Sequence, residues 1–124
     1  MSADLIEIET AVKTYLDGLY EGDTTKLGGV FHPTSALTQW FDGELKIIPR
    51  DAWFEAVKNR PSPKTSGLPR ADHILAIDVI GPAMAHVKLK CAIPPRYFTD
   101  MLSFLKIDGR WQVAQKVFRT EFQR

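Results

Sequence analysis

One cysteine in 124 residues, Cys91, excludes an internal disulfide. It lies in an apolar stretch, where a thiol is expected to be buried and inert rather than nucleophilic. The chain also lacks an excess of charge of either sign. Sixteen Lys and Arg stand against fifteen Asp and Glu, a formal net charge of +1. Nucleic-acid binding needs a concentrated basic stripe, and Lys88, Lys90, Arg96 and Arg110 are dispersed. No nucleic-acid partner is expected. No apolar run approaches the ~20 residues that cross a bilayer, and no apolar core follows a basic N-terminus as in a signal peptide. These absences lead to the expectation of one cytoplasmic domain over residues 1–124, with no membrane partner. His32, His73 and His86 are far apart in sequence. Without HxH or HxxxH spacing no metal site is expected. There is no Gly-rich phosphate loop and no Gly-x-Ser-x-Gly elbow, which disfavours dinucleotide binding and serine hydrolysis; no cofactor is expected.

What is present divides the chain in two. Leu5, Ile8, Val12, Tyr15, Leu16 and Leu19 recur at helical spacing. Asp4 with Glu7 resembles a capping box, so a first helix is expected over about Asp4 to Tyr20, stopped at Gly22. Asp23 can cap a short second helix that closes early at Gly28-Gly29. Phe31-His32-Pro33 then leads into a hairpin, Ala36 to Phe41 and Glu44 to Ile48 around Asp42-Gly43. A short third helix carrying Trp53, Phe54 and Val57 follows Pro49. The stretch from Pro61 to Pro69 continues no regular element; it reads as a mobile surface loop and a gate. Four long strands follow: Ala71 to Ile80, Ala83 to Ile93, Arg96 to Ile107 and Arg110 to Arg119, turning at Gly81-Pro82 and Asp108-Gly109. The Arg96–Ile107 strand is apolar on both faces, and helices can cover only one. The other cover is expected to be a second copy of the chain.

Asp100 interrupts that apolar strand. A carboxylate among apolar side chains can act as a general acid or base. A tight turn at Asp108-Gly109 sets Asp100 opposite Val117, with Lys116 and Phe118 diagonal to it. Asp100 therefore either pairs structurally with Lys116 or faces a ligand. His32 either looks into a pocket and moves a proton or caps the second helix through its ring N–H. Tyr15, Trp53 and Tyr97 either fill the core or line a cavity for a flat ligand. Trp111 reads as core beneath the first helix.

The ordered set Tyr15-Leu16-Asp17-Gly18-Leu19-Tyr20-Glu21-Gly22-Asp23, Phe31-His32-Pro33, Asp42-Gly43, Asp100-Met101-Leu102-Ser103-Phe104-Leu105 and Asp108-Gly109-Arg110-Trp111-Gln112-Val113 with Lys116-Val117-Phe118 resembles the nuclear transport factor 2-like superfamily. It is most similar there to the small bacterial lumazine-binding, SnoaL-like proteins. The resemblance implies an α+β fold of cystatin-like type: a cone-like curved antiparallel sheet of about six strands wrapped around three N-terminal helices. It implies a pocket at the open end and a homodimer through the outer sheet face. It does not imply one activity, because the superfamily holds isomerases, dehydratases, polyketide cyclases and non-enzymatic modules. The expected partner is a small, mostly apolar cyclic molecule. Asp100 and His32 are the catalytic candidates for proton transfer or dehydration. Tyr15, Trp53, Tyr97, Lys116 and Phe118 are the ligand-binding candidates. The alternatives are a non-catalytic carrier or a protein-assembly domain.

Overall fold

The computed structural model describes residues 2–123. Helix α1 spans Ala3–Glu21 and is capped by Ser2, whose hydroxyl accepts the Leu5 backbone N–H at 3.1 Å. The capping box expected at Asp4 does not form, because Asp4 has other partners. Its carboxylate accepts hydrogen bonds from Trp111 Nε1 and Lys106 Nζ, each at 3.0 Å. Trp111 first and Lys106 second hold that carboxyl below its usual range. Ile8, Val12, Tyr15, Leu16 and Leu19 form the buried stripe of α1. Gly22 ends it at φ +68°, a left-handed conformation open to glycine without strain. Helix α2, Thr24–Val30, starts at Asp23, whose Oδ1 accepts the N–H groups of Thr25 and Lys26. Helix α3, Arg50–Lys58, buries Trp53 and Val57.

Strand β1 is Ala36–Phe41 and β2 Glu44–Pro49, joined at Asp42-Gly43, both at positive φ as a type I′ turn requires. Then come β3 (His73–Ile80), β4 (Met84–Ile93), β5 (Arg96–Ile107) and β6 (Arg110–Phe122). The six strands lie in the order β2-β1-β6-β5-β4-β3. This is an α+β fold with a curved, unclosed sheet. The sheet is not antiparallel throughout. β1 runs parallel to β6, with Leu37 beside Lys116 and Thr38 beside Val117. Short turns force antiparallel neighbours within each meander; the junction of the two meanders is closed by a long crossover and is free of that constraint.

The β5–β6 hairpin carries a bulge. Near the turn Ile107 pairs with Arg110 and Phe104 with Val113, but beyond Ala114 the register shifts, and Ser103 pairs with Gln115 and Asp100 with Phe118. One extra residue reverses which face the rest of β6 presents. Trp111 and Val113 are buried before the bulge, and Lys116 is buried after it, with Gln115 and Val117 exposed.

The segment from Pro61 to Pro69 differs from the expected loose gate. Pro63 is fully buried. Lys64 N–H donates to Tyr20 O at 3.0 Å, Leu68 N–H to Pro63 O at 2.9 Å, and the Tyr20 hydroxyl to Leu68 O at 2.9 Å. A proline ring under the end of α1 anchors the segment. The helices cover one face of the sheet. On the other, Trp40, Leu45, Ile47, Met101, Leu105 and Val117 are exposed. Trp40 pairs with Leu45, Thr38 with both Ile47 and Val117, and Val117 with Met101. These pairings make one apolar stripe across four strands.

Candidate functional site

Three ionisable side chains from three elements meet beneath the sheet. Tyr15 comes from the buried face of α1, Asp100 from β5 and Lys116 from β6 just past the bulge. Asp100 and Tyr15 are fully buried, and Lys116 is 6% exposed. The Tyr15 hydroxyl donates to Asp100 Oδ2. Lys116 Nζ donates to the Tyr15 oxygen at 2.7 Å and lies 3.6 Å from the same carboxylate oxygen. The Cys91 thiol also points at Oδ2, at 3.7 Å. Oδ1 of Asp100 has no hydrogen-bond partner among the described residues. Burial first, then the Asp100 carboxylate, holds Tyr15 well above its ordinary range, so it stays a protonated phenol. Burial and then Asp100 push the Cys91 thiol up as well, which keeps it neutral and a poor nucleophile.

Aromatic rings surround this chain of groups. Lys116 Nζ lies 5.2, 5.1 and 4.8 Å from the ring centroids of Tyr15, Trp53 and Phe118. Ring quadrupoles favour a cation there. Trp53 packs edge-on against Phe31 at 5.0 Å, and Phe31 against Tyr15 at 5.3 Å. The rings fix the phenol, and the phenol fixes the ammonium.

A cavity of about 420 Å³ opens beside the group. Its volume lies within the range of small-molecule sites. Buried Leu37, Trp53, Cys91 and Lys116 form its inner end, and Phe41, Ile48, Phe98 and Phe118 its apolar flanks. Asp100 and Tyr15 do not line it. Lys116 is the member of the buried chain that faces the space, with Asp100 behind it. A larger depression of about 600 Å³ lies between α1, α2 and the β5–β6 turn. It is shallow, and its Glu7, Lys26 and Arg110 form no buried cluster. The smaller cavity is therefore the chemically equipped one. Among the described residues no group of three or more His, Cys, Asp and Glu is placed to hold a metal ion. No described helix is long and apolar enough to cross a membrane.

The structure thus brings together Tyr15, Trp53, Asp100, Lys116 and Phe118. Two other candidates lie elsewhere. The His32 ring accepts the Thr34 backbone N–H at 3.2 Å and contacts the Thr34 hydroxyl at 2.8 Å. It neither lines the cavity nor caps α2, because Pro33 turns the chain so that the ring folds onto its own loop. Tyr97 is absent from the cavity wall, where Phe98 stands. Tyr97 and Asp100 are three apart on one strand, and an odd separation puts them on opposite faces. That signal was present in the sequence. Asp100 itself is behind the wall rather than on it. Cationic Lys46, Arg60 and Arg96 line the cavity as well, and no local motif marks them, since they come from three distant segments.

A family model described as "Putative lumazine-binding" matches residues 3–119. The chain is 29% identical over 110 residues to the aldolase FrzH of a Cladobotryum species, covering 86% of this chain and 82% of that one. Among solved structures, an NTF2-like protein of unknown function from Silicibacter pomeroyi superposes with a TM-score of 0.85 at 23% identity, covering 98% of this chain and 100% of that one. A ketosteroid isomerase-like protein from Erwinia carotovora atroseptica superposes with a TM-score of 0.76 at 15% identity, covering 99% and 100%. The match across nearly the whole length makes this chain a member of the family that this model describes, and its helices and sheet have the fold of NTF2-like proteins.

Proposed function

We propose that this protein binds a small, mostly apolar cyclic carbonyl compound in the 420 Å³ cavity and promotes proton transfer beside the carbonyl, the step shared by dehydration and aldol chemistry. The observation that carries this reading is Lys116, a buried cation on the wall of an otherwise apolar inner end. One of its N–H groups is engaged by Tyr15; the side chain has three. A remaining N–H can donate to the carbonyl oxygen and stabilise the negative charge that develops there. The hydrogen on the neighbouring carbon then leaves to water entering by the mouth. Asp100 is a positioning residue in this scheme: it balances the ammonium and orients it through Tyr15. The name of the Cladobotryum relative, an aldolase, agrees with such chemistry.

The test is deuterium incorporation into a panel of cyclic ketones in heavy water. The unmodified protein should accelerate exchange beside the carbonyl. Lys116→Met, which keeps the bulk, should slow it by about 10²–10³, the effect of removing one oxyanion donor. Retained binding with no acceleration by the unmodified protein would replace this reading with a non-catalytic binding module. The complete burial of Asp100 favours that second reading.

The apolar stripe on the outer face supports a homodimer joined sheet to sheet; a cytoplasmic location is part of the same proposal. Light scattering at micromolar concentration should give twice the 14.0 kDa chain mass. Met101→Glu, at the centre of the stripe, should yield monomer or aggregate. A clean monomer from the unmodified chain removes the dimer.

A further inference from the structure

The cavity is lined by four cations and no carboxylate. Lys116 is the inner one and has Asp100 behind it. Lys46 on β2, Arg60 just after α3 and Arg96 at the start of β5 are all exposed and mark the mouth. No ion pair among the described residues engages any of these three. Elsewhere Arg70 has Asp17 and Asp72, Lys26 has Glu21 and Lys106 has Asp4, while Lys13, Lys64, Lys88, Lys90 and Arg110 are in no ion pair among the described residues either; what sets Lys46, Arg60 and Arg96 apart is that they share one opening. At the mouth Lys46 lies over the Phe41 ring at 5.4 Å and Arg96 over the Phe122 ring at 5.5 Å, both rings belonging to the cavity wall. Partial loss of solvent around the guanidinium, in a residue exposed as a whole, and then the like charge of Arg96, lower the pKa of Arg60. Three cations from separate segments converge on an apolar opening, and no carboxylate of the described residues lines it or pairs with them. Such a field concentrates anions, and low-dielectric walls strengthen it.

We propose that the ligand of this cavity is an organic anion: an apolar ring body carrying one acidic group, such as a carboxylate, sulfonate or phosphate. The acidic group is held at the mouth by Arg60 and Arg96, and the ring enters toward Trp53 and Phe118. Arginine suits this role through its planar fork of donors. The assignment rests on the cavity being the ligand site and names the class of compound it takes. It also sets an orientation, with the charged end outward and the reacting end toward Lys116.

The test uses two fluorescent probes that differ by one group, 1-anilinonaphthalene-8-sulfonate and the neutral N-phenyl-1-naphthylamine. The sulfonate should bind about tenfold or more tightly than the neutral probe, the worth of a charge-assisted contact. Arg60→Gln and Arg96→Gln together should erase that difference while leaving the neutral probe unchanged. Raising salt from about 0.05 to 0.5 M should weaken only the sulfonate. Both arginines are exposed, so the exchanges leave the core intact. If either variant fails to fold, Arg→Lys at the same position and the salt series decide. Equal binding of the two probes overturns the anion assignment and leaves the cavity reading standing. A sulfonate preference indifferent to both exchanges places that probe elsewhere and also overturns it. Binding of neither probe overturns the cavity reading and the assignment with it.

Discussion

Asp100→Asn should destabilise the protein by about 3 kcal/mol, the lower end for removing one partner of a buried ion pair. Asparagine keeps the shape and an acceptor oxygen for the Tyr15 hydroxyl, so the hydrogen bond is not what is lost. The loss is the negative charge behind Lys116. That ammonium is 6% exposed and sits among three rings. The rings supply only about 0.5–2 kcal/mol each, and the desolvation of an unpaired ion is several. For a chain of this length the melting temperature should fall by about 12 °C. The double variant Asp100→Asn with Lys116→Met should recover most of the loss, because two neutral side chains need no compensation. Thermal unfolding of the two single variants and the double one closes the cycle. A single Asp100→Asn variant that melts with the parent would show that the pair does not anchor the site, and would leave Asp100 free for another role.

Deletion of Val117 should do more damage than any single exchange in the site. Beyond the bulge Lys116, Phe118 and Thr120 face the helices, and Val117, Arg119 and Glu121 face the outer side. Without Val117 the two stretches of this alternation conflict. If the bulge stays, Phe118 and Thr120 turn outward and Arg119 and Glu121 turn toward the cavity. If the bulge closes, Gln115 turns inward and Lys116 outward, leaving Asp100 unpaired. A one-residue slip inverts every side chain beyond it. The expected outcome in urea is loss of the cooperative transition, or a loss exceeding that of Asp100→Asn. Deletion of Ala114 is the control. It removes the residue that β6 carries in excess; Ser103 still meets Gln115 and Asp100 still meets Phe118, so Lys116 stays inward and the damage should be smaller. A Val117 deletion variant with parental stability and an intact cavity would show that the alternation of β6 does not hold the site.

The sequence by itself determined the elements and the family. Both Asp-Gly turns, the Arg96–Ile107 strand, the stripe of α1 and the Asp23 cap are where local pattern puts them. These signals act over a few residues, so the chain states them directly. The Asp108-Gly109 hairpin was legible as well, but the register that its turn sets holds only as far as Phe104 and Val113. Tyr97 stands off the cavity wall, and the period of two already set it on the face opposite Asp100.

The tertiary structure alone decided the rest of the site. Under the straight register of the Asp108-Gly109 turn, Asp100 faces Val117 and Lys116 points away; the bulge at Ala114 turns Lys116 inward. A bulge is set by how β6 meets β1 and β5 together, and no short window of sequence records that. The Tyr15 hydroxyl reaches Asp100 across 85 residues of chain, and Lys116 reaches Tyr15 across 101. The cationic mouth gathers Lys46, Arg60 and Arg96 from a strand, a helix end and another strand. Local propensity fixes what each segment becomes. Which side chains share a cavity depends on sheet order and register, and those are settled only when the whole sheet closes over the helices.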